Sequence, residues 1–163
     1  MKRIGLLSDT HTFLHPKLFD FFKDVDEIWH AGDIGNIETA DKLATFKPFK
    51  AVYGNIDGNN IRNEYPKVQV FECESMKILM THIGGYPKRY EPSILKLIKK
   101  EKPKLFISGH SHILKVINDP EYKLLHINPG AAGRSGLHKV STMLRFNIDQ
   151  SRINDLEILE LKR

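Results

Sequence analysis

Apolar and polar positions follow two rhythms along this chain. Arg3–Ser8 is a short apolar run with the length of a buried strand, and Leu14, Leu18, Phe21, Phe22 and Val25 follow at helical spacing, with Pro16 in the first turn. Glu27–Ala31 reads as a second strand. Ile37, Ala40, Leu43, Ala44 and Phe46 mark a second helix that must stop before Pro48. Phe49–Tyr53 is a third strand. This βαβαβ order predicts a parallel sheet with right-handed crossovers.

The rhythm then changes. Lys67–Cys73 and Lys77–Thr81 read as strands turning at Glu74-Ser75, a helix runs from Pro92 to Lys102, and Leu105–Ser108 is again a buried strand. Beyond Ile113 the pattern is of β-ribbons. Ile113–Ile117 and Leu124–Ile127 flank one turn, and Ser141–Ile148 and Ile153–Leu161 flank another. Parallel βα units followed by antiparallel strands predict an α/β fold of two stacked sheets with helices outside. No repeat or linker interrupts it, so residues 1–163 are expected to form a single domain.

Composition narrows the class. With 163 residues, 40% hydrophobic and 28% charged, the chain has ordinary globular composition and is long enough to build a core. A lone cysteine, Cys73, excludes an internal disulfide, reads as a small core residue and points to a reducing compartment, the cytoplasm. No apolar run approaches the roughly 20 residues of a membrane span. The first apolar stretch ends at Ser8-Asp9, too early for a signal peptide. Twenty-five Lys and Arg against 20 Asp and Glu give a net charge of +5, which admits an anionic partner. The densest basic stretch, Lys96–Lys104, has neither the arginines nor the aromatics of a nucleic-acid patch, so it reads as a solvated helix face and nucleic acid is not the favoured partner.

The candidate chemistry lies where the predicted strands end. Ser8-Asp9-Thr10-His11 closes the first, Gly32-Asp33 the second and Gly54-Asn55-Ile56-Asp57 the third; His82 follows Thr81, and Gly109-His110-Ser111-His112 follows Ser108. In open α/β sheets ligands bind beyond the carboxyl ends of strands, so five segments are expected to deliver Asp, His and Asn to one edge. Carboxylate, amide and imidazole donors suit Mn, Fe, Co, Ni or Zn. Asp9-x-His11 and His110-x-His112, if extended, place both members of each pair on one side, and Gly32, Gly54 and Gly109 allow sharp turns. Other polar residues carry less. His15 reads as a surface residue, His30 as core or as support for a ligand, and His126 as structural. Arg134 and His138 sit in a glycine-rich loop where an arginine can grip phosphate or simply face solvent.

In order and spacing these five motifs resemble those of the calcineurin-like metallophosphoesterases, and the short chain, the Gly-Asn-x-Asp variant and Asn128-Pro129-Gly130 resemble the small bacterial YfcE-type and archaeal phosphodiesterases. The resemblance implies a four-layer αββα sandwich. It also implies two divalent ions, manganese first and nickel, iron or zinc as alternatives. One would be held by Asp9, His11, Asp33 and His112, the other by Asp33, Asn55, His82 and His110, with Asp33 shared. It makes Asp33, Asn55 and Asp57 the catalytic set and Asn55 a substrate contact; Arg134, read only from its place in the glycine-rich loop, is expected as a second. A small phosphodiester would be cleaved by direct attack of a hydroxide bridging the ions. Ile56 departs from the resemblance, because relatives place His or Cys there, and isoleucine donates no proton. Aryl leaving groups are therefore expected to be favoured. The competing readings are a metal-binding scaffold like the retromer subunit of this fold, and a nuclease. A homodimer or homotetramer is expected by analogy alone.

Overall fold

A computed structural model describes residues 1–163. In chain order its elements are β1 (Lys2–Leu7), α1 (Lys17–Phe21), β2 (Glu27–His30), α2 (Ile37–Phe46), β3 (Phe49–Ala51), α3 (Asn59–Glu64), β4 (Val68–Cys73), β5 (Met76–Thr81), β6 (Gly85–Tyr86), β7 (Arg89–Tyr90), α4 (Pro92–Glu101), β8 (Leu105–Ile107), β9 (Leu114–Asp119), β10 (Leu124–Pro129), β11 (Val140–Asp149) and β12 (Arg152–Lys162). They form two five-stranded mixed sheets, ordered β12-β11-β1-β2-β3 and β4-β5-β8-β10-β9, with β6 and β7 as a separate small hairpin. Strands β1, β2 and β3 run parallel, as do β5, β8 and β10. The edges are closed by the antiparallel pairs β11–β12, β4–β5 and β9–β10.

The period-2 alternation of each strand sorts its side chains into layers. Ile4, Leu6 and Trp29 of one sheet meet Ile78, Met80, Leu105, Ile107 and Ile127 of the other in the core between the sheets. Their neighbours face outward. Leu7, Ile28 and Met143 pack on Leu18 of α1 and Leu43 of α2, while Leu79 and Phe106 pack on Ile94 and Ile98 of α4. Helix, sheet, sheet and helix are the four layers the sequence led us to expect.

Two differences stand out. The helix expected over Leu14–Val25 contracts to Lys17–Phe21, because Pro16 starts it and the chain leaves helical geometry at Phe22, whose side chain is buried against Gly5. Helix α3 and the β6–β7 hairpin were not foreseen; both are too short to show a period. The two late ribbons belong to different sheets, since β11 pairs with β1 and β10 with β8.

Candidate metal centre

All five parallel strands named by the motifs direct their carboxyl ends to one edge, and the structure gathers two groups of potential ligand atoms there. One is Asp9, His11 and His112; the other is Asp33, His82 and His110. Asn55 joins the second, with its Oδ1 3.1 Å from His110 Nδ1. The groups adjoin. Asp33 Oδ2 lies 3.2 Å from His82 Nε2 and 3.5 Å from His11 Nε2, and so reaches a member of each. Asp9 Oδ1 lies 3.2 Å from His112 Nε2 and 3.8 Å from His82 Nε2.

Each carboxylate has one oxygen held and one aimed inward. Asp9 Oδ2 accepts from Ser8 Oγ at 2.7 Å and from the His110 backbone N–H at 3.1 Å. Asp33 Oδ1 accepts from the Ile56 N–H at 3.0 Å. His82 Nδ1 donates to the Ala31 carbonyl at 2.8 Å, which leaves its Nε2 lone pair facing the carboxylates. Burial alone would raise both carboxyls. The adjoining His112 imidazole and the charge of His82 outweigh it at Asp9, and contacts with His82, Ile56 and His11 outweigh it at Asp33, so both are held below the usual carboxylate range. Burial would lower the His82 imidazole, but Asp33 and Asp9 raise it.

The donor set fits divalent ions on an observation internal to the fold. Asp9 Oδ1, His11 Nε2 and His82 Nε2 are buried and have no hydrogen-bond partner. Such orphans are costly, and these three converge. Bonds of about 2.0–2.2 Å to divalent ions, one beside each group, would satisfy them.

The backbone is strained where the ligands sit. Asp9, His11, Asp33, His110 and His112 all have positive φ, and so does the β-branched Thr12 at 73°. The extended geometry expected for Asp9-x-His11 and His110-x-His112 is therefore absent, and His110 and His112 go to different groups. Gly54 and Gly109 are required by close approach rather than by a turn, since a Cβ at Gly54 would strike the Asp33 carboxylate and one at Gly109 would strike Ser8 and Asp9.

Other expected residues lie elsewhere. Asp57 is buried, and its carboxylate accepts from the backbone N–H groups of Gly54, Ile34 and Gly35 at 2.8, 3.2 and 2.9 Å. These bonds tie the loop after Asp33 to the loop that carries Asn55. Arg134 lines neither cavity beside the cluster; its guanidinium lies 3.9 Å over the Phe13 ring. His15 is half-buried and accepts from Lys17 N–H at the start of α1. His30 takes an N–H from Gly32 on Nδ1 and meets Thr10 Oγ1 with Nε2, tying two ligand loops together. His126 stacks on Phe106, His138 reaches the Gly133 carbonyl, and Cys73 is buried.

Sequence inspection passed over two supports. Asn128 donates to the Gly109 carbonyl and to Ser111 Oγ, bracing the His110 loop. Arg62 of α3 donates to the carbonyls of Asp57 and Asn55. Only the position of Arg62 seven residues after Asn55 hinted at it. Two cavities of about 190 Å³ each flank the cluster. One is lined by Tyr53, Asn55, Arg62, Lys67 and His82. The other is lined by Tyr86, His110, Ser111, Lys115 and Asn128.

Comparison with known proteins bears on the family and the fold. The family model for the calcineurin-like phosphoesterase superfamily domain matches residues 1–151. A probable metallophosphoesterase of Methanothermobacter thermautotrophicus is 31% identical, over 96% of this chain and 91% of its own. Among solved structures, an archaeal phosphodiesterase superposes with a TM-score of 0.77 at 24% identity, covering 98% of this chain and 99% of its own. Wild-type Vps29 of Entamoeba histolytica, solved with Zn2+, superposes with a TM-score of 0.73 at 18% identity, covering 98% of each chain. These two likenesses carry the fold. No helix is long and apolar enough to cross a membrane.

Proposed function

We propose that this chain, which belongs to the calcineurin-like phosphoesterase superfamily, is a metal-dependent phosphodiesterase. The observation that carries the reading is the convergence of the orphaned atoms of Asp9, His11 and His82 between two carboxylates that each keep one oxygen free. Asp9, His11 and His112 would hold one divalent ion, and His82, His110 and Asn55 a second, with Asp33 Oδ2 shared. Bound there, the ions supply Lewis acidity at phosphate oxygens and a water made acidic enough to attack phosphorus at neutral pH. Manganese is our first choice, and nickel, iron or zinc suit the same donors.

The chain's own residues provide the rest. Ser8, the His110 amide and the Ile56 amide fix the two carboxylates before any ligand arrives, so little ordering remains to be done on binding. The two cavities on either side of the cluster give each arm of a diester a place, which favours a diester over a monoester. Ile83 lines both and is 45% exposed, an apolar surface suited to aryl or nucleoside arms. Ile56, 46% exposed beside Asn55, offers no proton to a departing alkoxide, so esters with acidic leaving groups should react fastest.

The test is hydrolysis of bis-p-nitrophenyl phosphate by metal-stripped protein, with and without added Mn2+, beside methyl and p-nitrophenyl monoester controls. Metal-dependent turnover that is fastest on the aryl diester is expected. No turnover with any divalent ion, together with retained metal binding, would make the chain a metal-binding scaffold instead.

A further inference from the structure

We propose that the Arg62 guanidinium grips the phosphoryl oxygens of the substrate. This rests on the phosphodiesterase reading above. Ile56 lies between Asn55 and Asp57 with an exposed apolar side chain. Arg62, carried back onto the same loop by α3, donates Nε–H to the Asp57 carbonyl at 2.6 Å and Nη2–H to the Asn55 carbonyl at 3.3 Å. It is thus tied to the two residues that flank Ile56. Its guanidinium lies 4.5 Å from the centre of the Tyr53 ring, which fixes its plane.

A guanidinium has five N–H donors. Two are used in these bonds, and no carboxylate pairs with the group. The cavity it shares with Asn55 and His82 has no acidic residue in its lining, and Lys67 adds a second positive charge. A planar, pre-positioned fork with unused donors, in an acid-free cavity beside the ligand cluster, matches a phosphate group. Arg134, occupied over Phe13, lines no part of this cavity.

The competing role is structural, with Arg62 merely pinning the loop that carries Asn55. Calorimetric titration of inorganic phosphate into the manganese-loaded protein separates the two, if metal content is measured on the same samples of wild type, Arg62→Gln, Arg62→Lys and Arg134→Gln. The proposal expects Arg62→Gln to weaken phosphate binding by at least about tenfold, with Arg62→Lys recovering part of the loss and metal content unchanged. The KM for bis-p-nitrophenyl phosphate should rise more than kcat falls. Unchanged phosphate affinity in Arg62→Gln overturns it. So does a loss that tracks metal content and is restored by excess Mn2+, or a loss confined to Arg134→Gln. A wild-type protein that binds neither manganese nor phosphate overturns the phosphodiesterase reading itself, whereas one that binds both and ignores Arg62→Gln overturns only the assignment of Arg62.

Discussion

Buried histidines occupy two regions of this molecule and meet opposite conditions. At the strand ends, His82 is 2% exposed, and its Nε2 faces the carboxylates of Asp33 and Asp9 with no hydrogen-bond partner. Within the strands, His30 and His126 are fully buried, and their hydrogen bonds go to a hydroxyl and backbone groups rather than to carboxylates. Burial dominates there and holds His30 down at about 3 and His126 at about 4, so both are neutral. At His82 the carboxylates overcome the same penalty. Burial therefore does not separate a structural histidine from a candidate ligand; what faces the second ring nitrogen does. Asp33 and Asp57 repeat the contrast among carboxylates. Both are 3% exposed, yet Asp57 is used up on three backbone amides while Asp33 keeps an oxygen for the cluster.

The largest effect should come from the cluster. Asp33→Asn replaces an oxygen that lies within 3.5 Å of both ligand groups, and turnover on the aryl diester should fall by at least about a thousandfold, measured at saturating Mn2+. Asp57→Asn should do something different. Its amide keeps one acceptor and sets a donor against backbone donors, so urea unfolding should show a loss of about 1–3 kcal/mol while the metal content of the folded protein is retained.

His126→Phe sharpens the strand-body half of the comparison through pH. Between about pH 4 and 6.5 the unfolded chain takes up a proton at His126 that the folded chain refuses. Native stability must therefore fall as pH drops through that window, by about 1.4 kcal/mol per pH unit. Above 6.5 this cost vanishes. Phenylalanine can stack on Phe106 as the imidazole does, and denaturant melts from pH 7 to 4 should show wild type losing stability relative to the variant. The smallest effect concerns position 56. Because Ile56 is 46% exposed, histidine fits there without repacking, and Ile56→His should raise the rate on alkyl relative to aryl diesters by about tenfold or more if the ring protonates the leaving group. An unchanged ratio would show that leaving-group protonation does not depend on this position.

Much of this was legible in the chain. The apolar runs of β1, β2, β5 and β8 and the polar residues that stop them placed Asp9 and Asp33 at the carboxyl edge of one sheet and His82 and His110 at that of the other, since neighbouring parallel strands end on the same side. The left-handed backbone of Asp9, His11, Asp33, His110 and His112 was not legible, because Asp and His carry no fixed φ in sequence and tertiary contacts hold them there. The partners of Asp57 and Arg62 are backbone groups, which every residue supplies, so no motif marks them. Arg134 followed a motif that pointed to phosphate, yet its side chain settled on an aromatic ring.

The most direct test of the account is a count of ions. Metal-stripped wild type and Asp33→Asn would be titrated with Mn2+, with bound metal quantified after dialysis. The shared oxygen of Asp33 predicts two ions per chain in wild type and weakened binding at both sites in the variant. A variant that keeps both ions at wild-type affinity, or a wild type that saturates at one, would contradict it.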